Sequence, residues 1–206
     1  MQKISFLFLL LVIGIALIGI YEAFSGSVAS VSFVRFFALS GFFLLCLSLI
    51  IGPLVVFWPK EYATLIEPRR AVGLLAFFFT AFHVILVMSL YLNWQIALVI
   101  SQLSLLIAVP AVLILLVLAL TSNDFAVRKL GMIWWKRIQI FNYLAFILVF
   151  VHFIMNANGL FVRTETGLFI NFAEVGLVLL GIVTVGLQIA GFLMRKSMTK
   201  LRVESE

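Results

Sequence analysis

The sequence predicts an all-α membrane protein: one bundle of six transmembrane helices over residues 1–206, with both termini in the cytoplasm. Three observations carry this expectation. Hydrophobic residues make up 65% of the chain and charged ones 11%, a balance that no soluble domain of this size tolerates. Apolar runs at 4–21, 36–57, 71–92, 96–120, 138–154 and 175–194 contain no Asp, Glu, Lys or Arg, and each approaches the roughly 20 residues that a spanning helix needs. Twelve Lys and Arg residues fall beside the connections 58–70 and 121–137 and the two termini, while only Arg35 and Arg163 fall on the other side. Basic residues concentrate on the cytoplasmic side of membrane proteins, so this asymmetry places both termini in the cytoplasm, and a multi-pass protein of the cell's inner (plasma) membrane is expected.

Each run has its own justification. The first follows Met1-Gln2-Lys3 and is longer than the apolar core of a signal peptide, so a retained helix is expected. The second carries Cys46, which as the single cysteine has no intrachain partner and reads as a small core hydrophobe. It also carries Pro53, and the fourth carries Pro110; membrane helices tolerate such kinks. A tight turn at 93–95 joins the third and fourth runs, and longer outer connections are expected at 22–35 and 156–174. Trp58, Trp94, Trp134 and Trp135 lie at run ends, where amphipathic rings favour the interface. The sixth run holds Gln188, for which sequence alone assigns no task. The formal charge of +6 does not imply nucleic acid, because the basic residues sit at the ends of apolar runs. Carboxylates and basic groups are absent from the runs, which argues against a proton pump or ion-coupled transporter.

The chain has two histidines, His83 in the third run and His152 in the fifth. An ionisable side chain at membrane depth is costly and marks function by default. His83 lies fourteen residues beyond Arg69 and His152 fifteen beyond Arg137, so at about 1.5 Å per residue both stand about 21–23 Å above a basic anchor. The two imidazoles therefore share one depth in the outer half of a core about 30 Å thick. Three readings follow: axial ligation of one haem iron, interhelical hydrogen bonds without a cofactor, or another metal or proton role. Zinc or copper is less well served, since two histidines and a distant cysteine fall short of the usual three or four ligands. Small residues one face along from each histidine, Thr80, Ala76 and Gly73 on one run and Val149, Ala145 and Asn142 on the other, admit either a flat ring or close helix packing.

Two segments carry a resemblance. Arg69-Arg70-Ala71-Val72-Gly73-Leu74 running through Ala76-Phe77-Phe78 to His83 resembles the third-helix signature of the ferric-reductase-like transmembrane family. Thr121-Ser122-Asn123-Asp124, Arg128-Lys129-Leu130-Gly131, Trp134-Trp135-Lys136-Arg137, Tyr143 and His152 resemble its following loop and fifth helix. The resemblance covers about residues 60–155 and is to short members without a flavin or nicotinamide domain, the haem-binding membrane partners of a periplasmic methionine sulfoxide reductase. It implies a haem b subunit, with His83 and His152 as axial ligands of one haem, that passes electrons from quinol or a cytoplasmic flavin reductase to an outer-face redox partner. Quinone is an implied cofactor, and a flavin at the cytoplasmic loops is left open although no phosphate-binding glycine loop is visible. Where related chains carry another histidine early in the fifth helix this one has Gln139, so a second haem held by two histidines cannot form and donation from within the membrane is favoured. Arg35 and Arg163, the outer basic residues, are candidate partners of haem propionates. Two competing expectations are a haem-dependent reductase of a small acceptor such as a ferric chelate, and a haem-free scaffold or assembly factor.

Overall fold

A computed structural model describes residues 2–25, 27–157, 161–164 and 167–204. Helices α1 (Gln2–Phe24) and α2 (Ala29–Phe57) are followed by a one-turn α3 (Pro59–Tyr62) and a 3-10 turn at Ala63–Leu65. Then come α4 (Ile66–Leu90), α5 (Ile96–Ser101), α6 (Leu103–Leu120) and α7 (Asp124–Asn156). An antiparallel hairpin, β1 (Phe161–Thr164) with β2 (Gly167–Ile170), leads into α8 (Phe172–Glu204). Among the described residues six helices are long and apolar enough to cross a membrane, as the six runs require.

Helix α2 is the axis of the bundle and packs against α1, α4 and α8, while α6 and α7 pack on each other. Its side chains Ser40, Leu44, Cys46 and Leu49 are fully buried, Cys46 as the core hydrophobe expected. With lipid as apolar as leucine, close approach of backbones must supply much of the association, and small residues provide it. A Cβ at Gly41 would come within 3.3 Å of the Thr80 backbone nitrogen on α4, and one at Gly73 within 3.3 Å of Ser48 Oγ. The small stripe Gly73–Ala76–Thr80 is thus spent mostly on docking α4 to α2: Ala76 is buried, and of these three only Thr80 borders the cavity that holds the histidines.

Pro53 explains a residue that sequence left unassigned. It has no N–H to give the carbonyl four residues earlier, that of Leu49, and a carbonyl left bare in a membrane interior is costly. Gln188 Nε2 on α8 donates to Leu49 O at 2.6 Å, filling that gap and tying α8 to the axis. Nearby, the Arg69 guanidinium reaches inward from α4, its Nε donating to Ser48 O at 2.9 Å.

The structure differs from the sequence reading mainly at connections. The segment 121–137, expected as a loop, is largely helical: Asn123 Oδ1 caps α7 by accepting from Ala126 N at 2.7 Å, and the helix turns a corner at Gly131. Gly131 has φ 74°, a backbone conformation that glycine adopts without steric cost. The fourth run is divided, because Gln102 takes an extended conformation between α5 and α6. No proline or glycine stands at that break. The outer connection 22–35 shrinks to four residues between α1 and α2, so Glu22 and Arg35 are both helical. Within the outer connection 156–174 lies a short antiparallel hairpin.

Candidate functional site

The end of the bundle that carries the hairpin contains a cavity of about 640 Å³. It is bordered by α2, α4, α5, α6 and α7 and by Glu174 of α8, and its lining is mainly aliphatic. His83 and His152 both line it. The interval from Arg69 to His83 lies wholly within α4, and that from Arg137 to His152 lies wholly in α7 beyond the Gly131 corner, so the equal helical rise expected for the two is realised. A cavity of this size, mainly apolar with a few convergent polar groups, has the form of a small-molecule or cofactor site.

The orientation of the rings is the most informative feature. His83 Nδ1 lies 3.2 Å from the carbonyl oxygen of Val34 on α2, and His152 Nδ1 lies 2.8 Å from that of Ser104 on α6. A carbonyl only accepts, so in each neutral ring Nδ1 carries the proton and Nε2 keeps its lone pair. Asn156 Nδ2 also comes within 3.2 Å of His152 Nδ1, but the amide N–H already donates to His152 O at 2.7 Å, and the shorter contact to Ser104 O sets the tautomer. A backbone acceptor on Nδ1 that leaves Nε2 unprotonated is the usual outer-shell arrangement of a metal-ligating histidine. Among the described residues no group of three or more His, Cys, Asp or Glu side chains could hold a bare metal ion. The donor set therefore suits a centre that brings its own equatorial ligands and takes two from the protein.

Phe42 and Phe153 are the phenylalanines that line the cavity, and behind them the stack continues away from it. Phe42 of α2 stacks on Phe153, Phe150 and Phe146 of α7 with ring centroids 4.8, 5.6 and 6.0 Å apart. Stacked rings at these separations hold α7 against α2 and fix the helix on which His152 rides.

At the opposite, basic end a second cavity of about 670 Å³ is lined by Arg69, Arg70, Lys136, Gln139, Tyr143 and Arg195 among others. No histidine borders it. Gln139 Nε2 donates to Thr121 Oγ1 at 3.4 Å, Trp135 Nε1 donates to Thr121 O at 2.9 Å, and Arg70 pairs with exposed Asp124 at 2.7 Å. Buried Ala145 stands on α7 between Tyr143, which lines this cavity, and Val149, which lines the histidine cavity. Asn142 belongs to this basic-end cavity, whereas Val149 on the same face of α7 belongs to the histidine cavity.

Arg35 borders the histidine cavity, but it is already engaged. Its Nε lies 3.1 Å from Glu22 Oε1 and its Nη2 3.0 Å from Glu174 Oε1. Tyr21 donates to Asn171 Oδ1 at 2.6 Å, and that same oxygen accepts from Glu174 N at the start of α8. Sequence reasoning missed Glu22 and Glu174 because both were assigned to outer connections. The available signal was that two carboxylates and one arginine flank three spans on the same side. The backbone of Arg163 lies in β1 opposite Leu168, and its side chain falls outside the described residues.

No family model matches the sequence. Over 101 residues the chain is 34% identical to magnetosome protein MamZ of Magnetospirillum gryphiswaldense, a match covering 46% of this chain and 15% of that protein. Over 100 residues it is 34% identical to the protein-methionine-sulfoxide reductase heme-binding subunit MsrQ of Brucella ovis, covering 47% of this chain and 45% of the relative. MsrQ of Brucella canis matches with the same identity and coverage. The similarity therefore spans less than half of each relative, and over that stretch the chain is similar to the heme-binding subunit MsrQ.

Proposed function

We propose that this chain is a haem b electron-transfer protein of the membrane, with a single haem held in the hairpin-end cavity by His83 and His152. The observation that carries the reading is the pair of imidazoles lining one cavity, each with Nδ1 turned to a backbone carbonyl and Nε2 left to ligate. The 34% identity to MsrQ supports it, since that relative is named as a heme-binding subunit. The ferric-reductase-like signature around His83 and His152 supports it further.

When bound, the haem supplies a one-electron couple whose potential is tuned by axial ligands and burial. The chain does the rest. His83 and His152 hold the iron from two helices, and the carbonyls of Val34 and Ser104 fix their rings and raise their basicity. Phe42 and Phe153 exclude water from one side. Arg35 stands at the cavity edge but is shared by Glu22 and Glu174, which leaves Arg163 as the candidate partner for a propionate. With the basic end in the cytoplasm, as the twelve-to-two distribution of Lys and Arg favours, the site lies in the outer half of the inner membrane.

The donor we assign is quinol within the membrane. The basic-end cavity offers Gln139 where a second histidine would be needed, so a soluble cytoplasmic flavin reductase lacks a relay to the outer site. The acceptor is an outer-face redox protein, and the MsrQ similarity makes a methionine sulfoxide reductase the first to try. An anionic ferric chelate is a poorer acceptor, because the only described arginine at that edge is shared by two glutamates. The test is reduction of the purified, haem-loaded protein by a soluble quinol analogue, followed by reoxidation on addition of a methionine sulfoxide reductase. Failure of quinol to reduce the haem would overturn the donor assignment.

A further inference from the structure

Three spans bring their hairpin-side ends together around one buried ionic group. Glu22 ends α1, Arg35 lies in the second turn of α2, and Glu174 opens α8. The carboxylates are 3% and 4% exposed, and each gives one oxygen, Oε1, to the same guanidinium at 3.1 and 3.0 Å. The other oxygen of each, Glu22 Oε2 and Glu174 Oε2, is buried and has no hydrogen-bond partner among the described residues.

Two ionised carboxylates on one guanidinium leave a net negative charge in a water-poor site, and desolvation disfavours that strongly. Like charges sharing a site cannot both ionise freely, as a carboxyl dyad sharing one proton illustrates. A single proton on either Oε2 neutralises the cluster and relieves one unpartnered acceptor. Among the described residues, the titratable or charged groups that face the cluster are Tyr21 and Glu22 on α1, Arg35 on α2, Glu174 on α8, and His83, Tyr91 and His152 around the adjoining cavity. Arg35 and Glu174 line that cavity, and Val34, next to Arg35 in sequence, supplies the carbonyl that holds His83.

We infer that the Glu22–Arg35–Glu174 cluster is a proton-binding site whose occupancy is linked to the redox state of the cavity. The inference rests on the proposed function for its redox partner. The added positive charge of the oxidised site displaces the proton that the cluster otherwise keeps. As one electron enters from the quinol donor, one proton from water on the hairpin side returns to a carboxylate of the cluster, giving a carboxylic acid, and the charge of the region is unchanged. The quinol's other electron goes to a second copy, and its two protons go to water at its own site. Loss of the electron to the acceptor releases the proton to the same side. Reduction adds negative charge and so raises proton affinity; the midpoint potential therefore falls as pH rises, between the proton affinities of the oxidised and reduced forms.

Two measurements test this. Infrared difference spectroscopy on haem-free protein, comparing wild type with Glu22→Gln and Glu174→Gln at neutral pH, reads the proton without the cofactor. A protonated-carboxyl band is expected in wild type and is expected to vanish in either variant, since the remaining glutamate forms a neutral pair with Arg35. No such band, or a band that survives in both variants, would overturn the proton site. Redox titration of haem-loaded protein at several pH values reads the linkage. A slope approaching about 59 mV per tenfold change in proton concentration is expected for one proton per electron, flattened in both variants. A pH-independent potential in wild type would overturn the linkage. Absence of haem binding would instead sink the functional reading, while the infrared result would still decide the proton site.

Discussion

At the residue scale, the two histidines differ from ordinary interhelical hydrogen-bonding residues in how little of each ring is spent. Each commits Nδ1 to a main-chain carbonyl at 3.2 or 2.8 Å, which leaves the Nε2 lone pair free, and both residues line one cavity. Replacing His83 or His152 by Ala is expected to abolish the Soret band of haem-reconstituted protein or shift it to a low-affinity, single-ligand form, while helical circular dichroism is retained. Unchanged absorption in both variants would refute the ligand assignment. Asn156, which contacts His152 through its side chain and bonds to Ser104 Oγ at 3.4 Å, has a weaker hold. Asn156→Ala should therefore keep the haem and alter its spectrum only slightly. That His83 and His152 would border one cavity was legible in the sequence, because they were the only histidines and stood at equal helical rise from basic anchors. The groups that orient them were not, since Val34 and Ser104 act through backbone carbonyls, which leave no mark on a sequence. Glu22 and Glu174 were hidden for another reason: a charge at the end of an apolar run reads as solvated, and only the convergence of α1, α2 and α8 buries these two.

At the scale of elements, the apolar runs foretold the spans because composition alone decides what crosses a membrane, but boundaries followed rules of a different kind. Asn123 caps α7 well before the expected start at 138, and Gly131 then bends it, so the connection 121–137 became helix. Removing the cap by Asn123→Ala should cost about 1 kcal/mol in reversible unfolding from detergent. The pairing of Pro53 with Gln188 gives a sharper prediction. Gln188→Leu leaves Leu49 O without its 2.6 Å donor and is expected to destabilise the protein by about 1–2 kcal/mol. Adding Pro53→Ala should recover most of that loss, because alanine restores the helical N–H that the proline lacks. A double-mutant cycle in denaturant unfolding reads the coupling, and strictly additive effects would show that Gln188 does not serve that carbonyl. The small face on α4 has a similar logic. Gly41→Val would drive a branched side chain against Thr80 and is expected to destabilise by about 1–3 kcal/mol, whether or not a cofactor is bound.

At the scale of the whole molecule, two cavities of nearly equal size lie toward opposite ends of the bundle, and only the one at the hairpin end is bordered by histidine. The difference makes the arrangement asymmetric: a ligand pair at one end, a basic cavity with Gln139 at the other. The sequence exposed this asymmetry through Gln139 and the absence of any further histidine, whereas the cavities themselves depend on how α4 and α7 pack on α2 and how α6 packs on both α4 and α7. The central claim is that this bundle holds one haem, between His83 and His152. It is tested most directly by haem stoichiometry, using the pyridine haemochrome of purified protein after expression with ample haem, for wild type and for the double variant His83→Ala/His152→Ala. The account predicts one haem per chain in wild type and none in the double variant; two haems per chain, no haem in wild type, or an undiminished content in the double variant would contradict it.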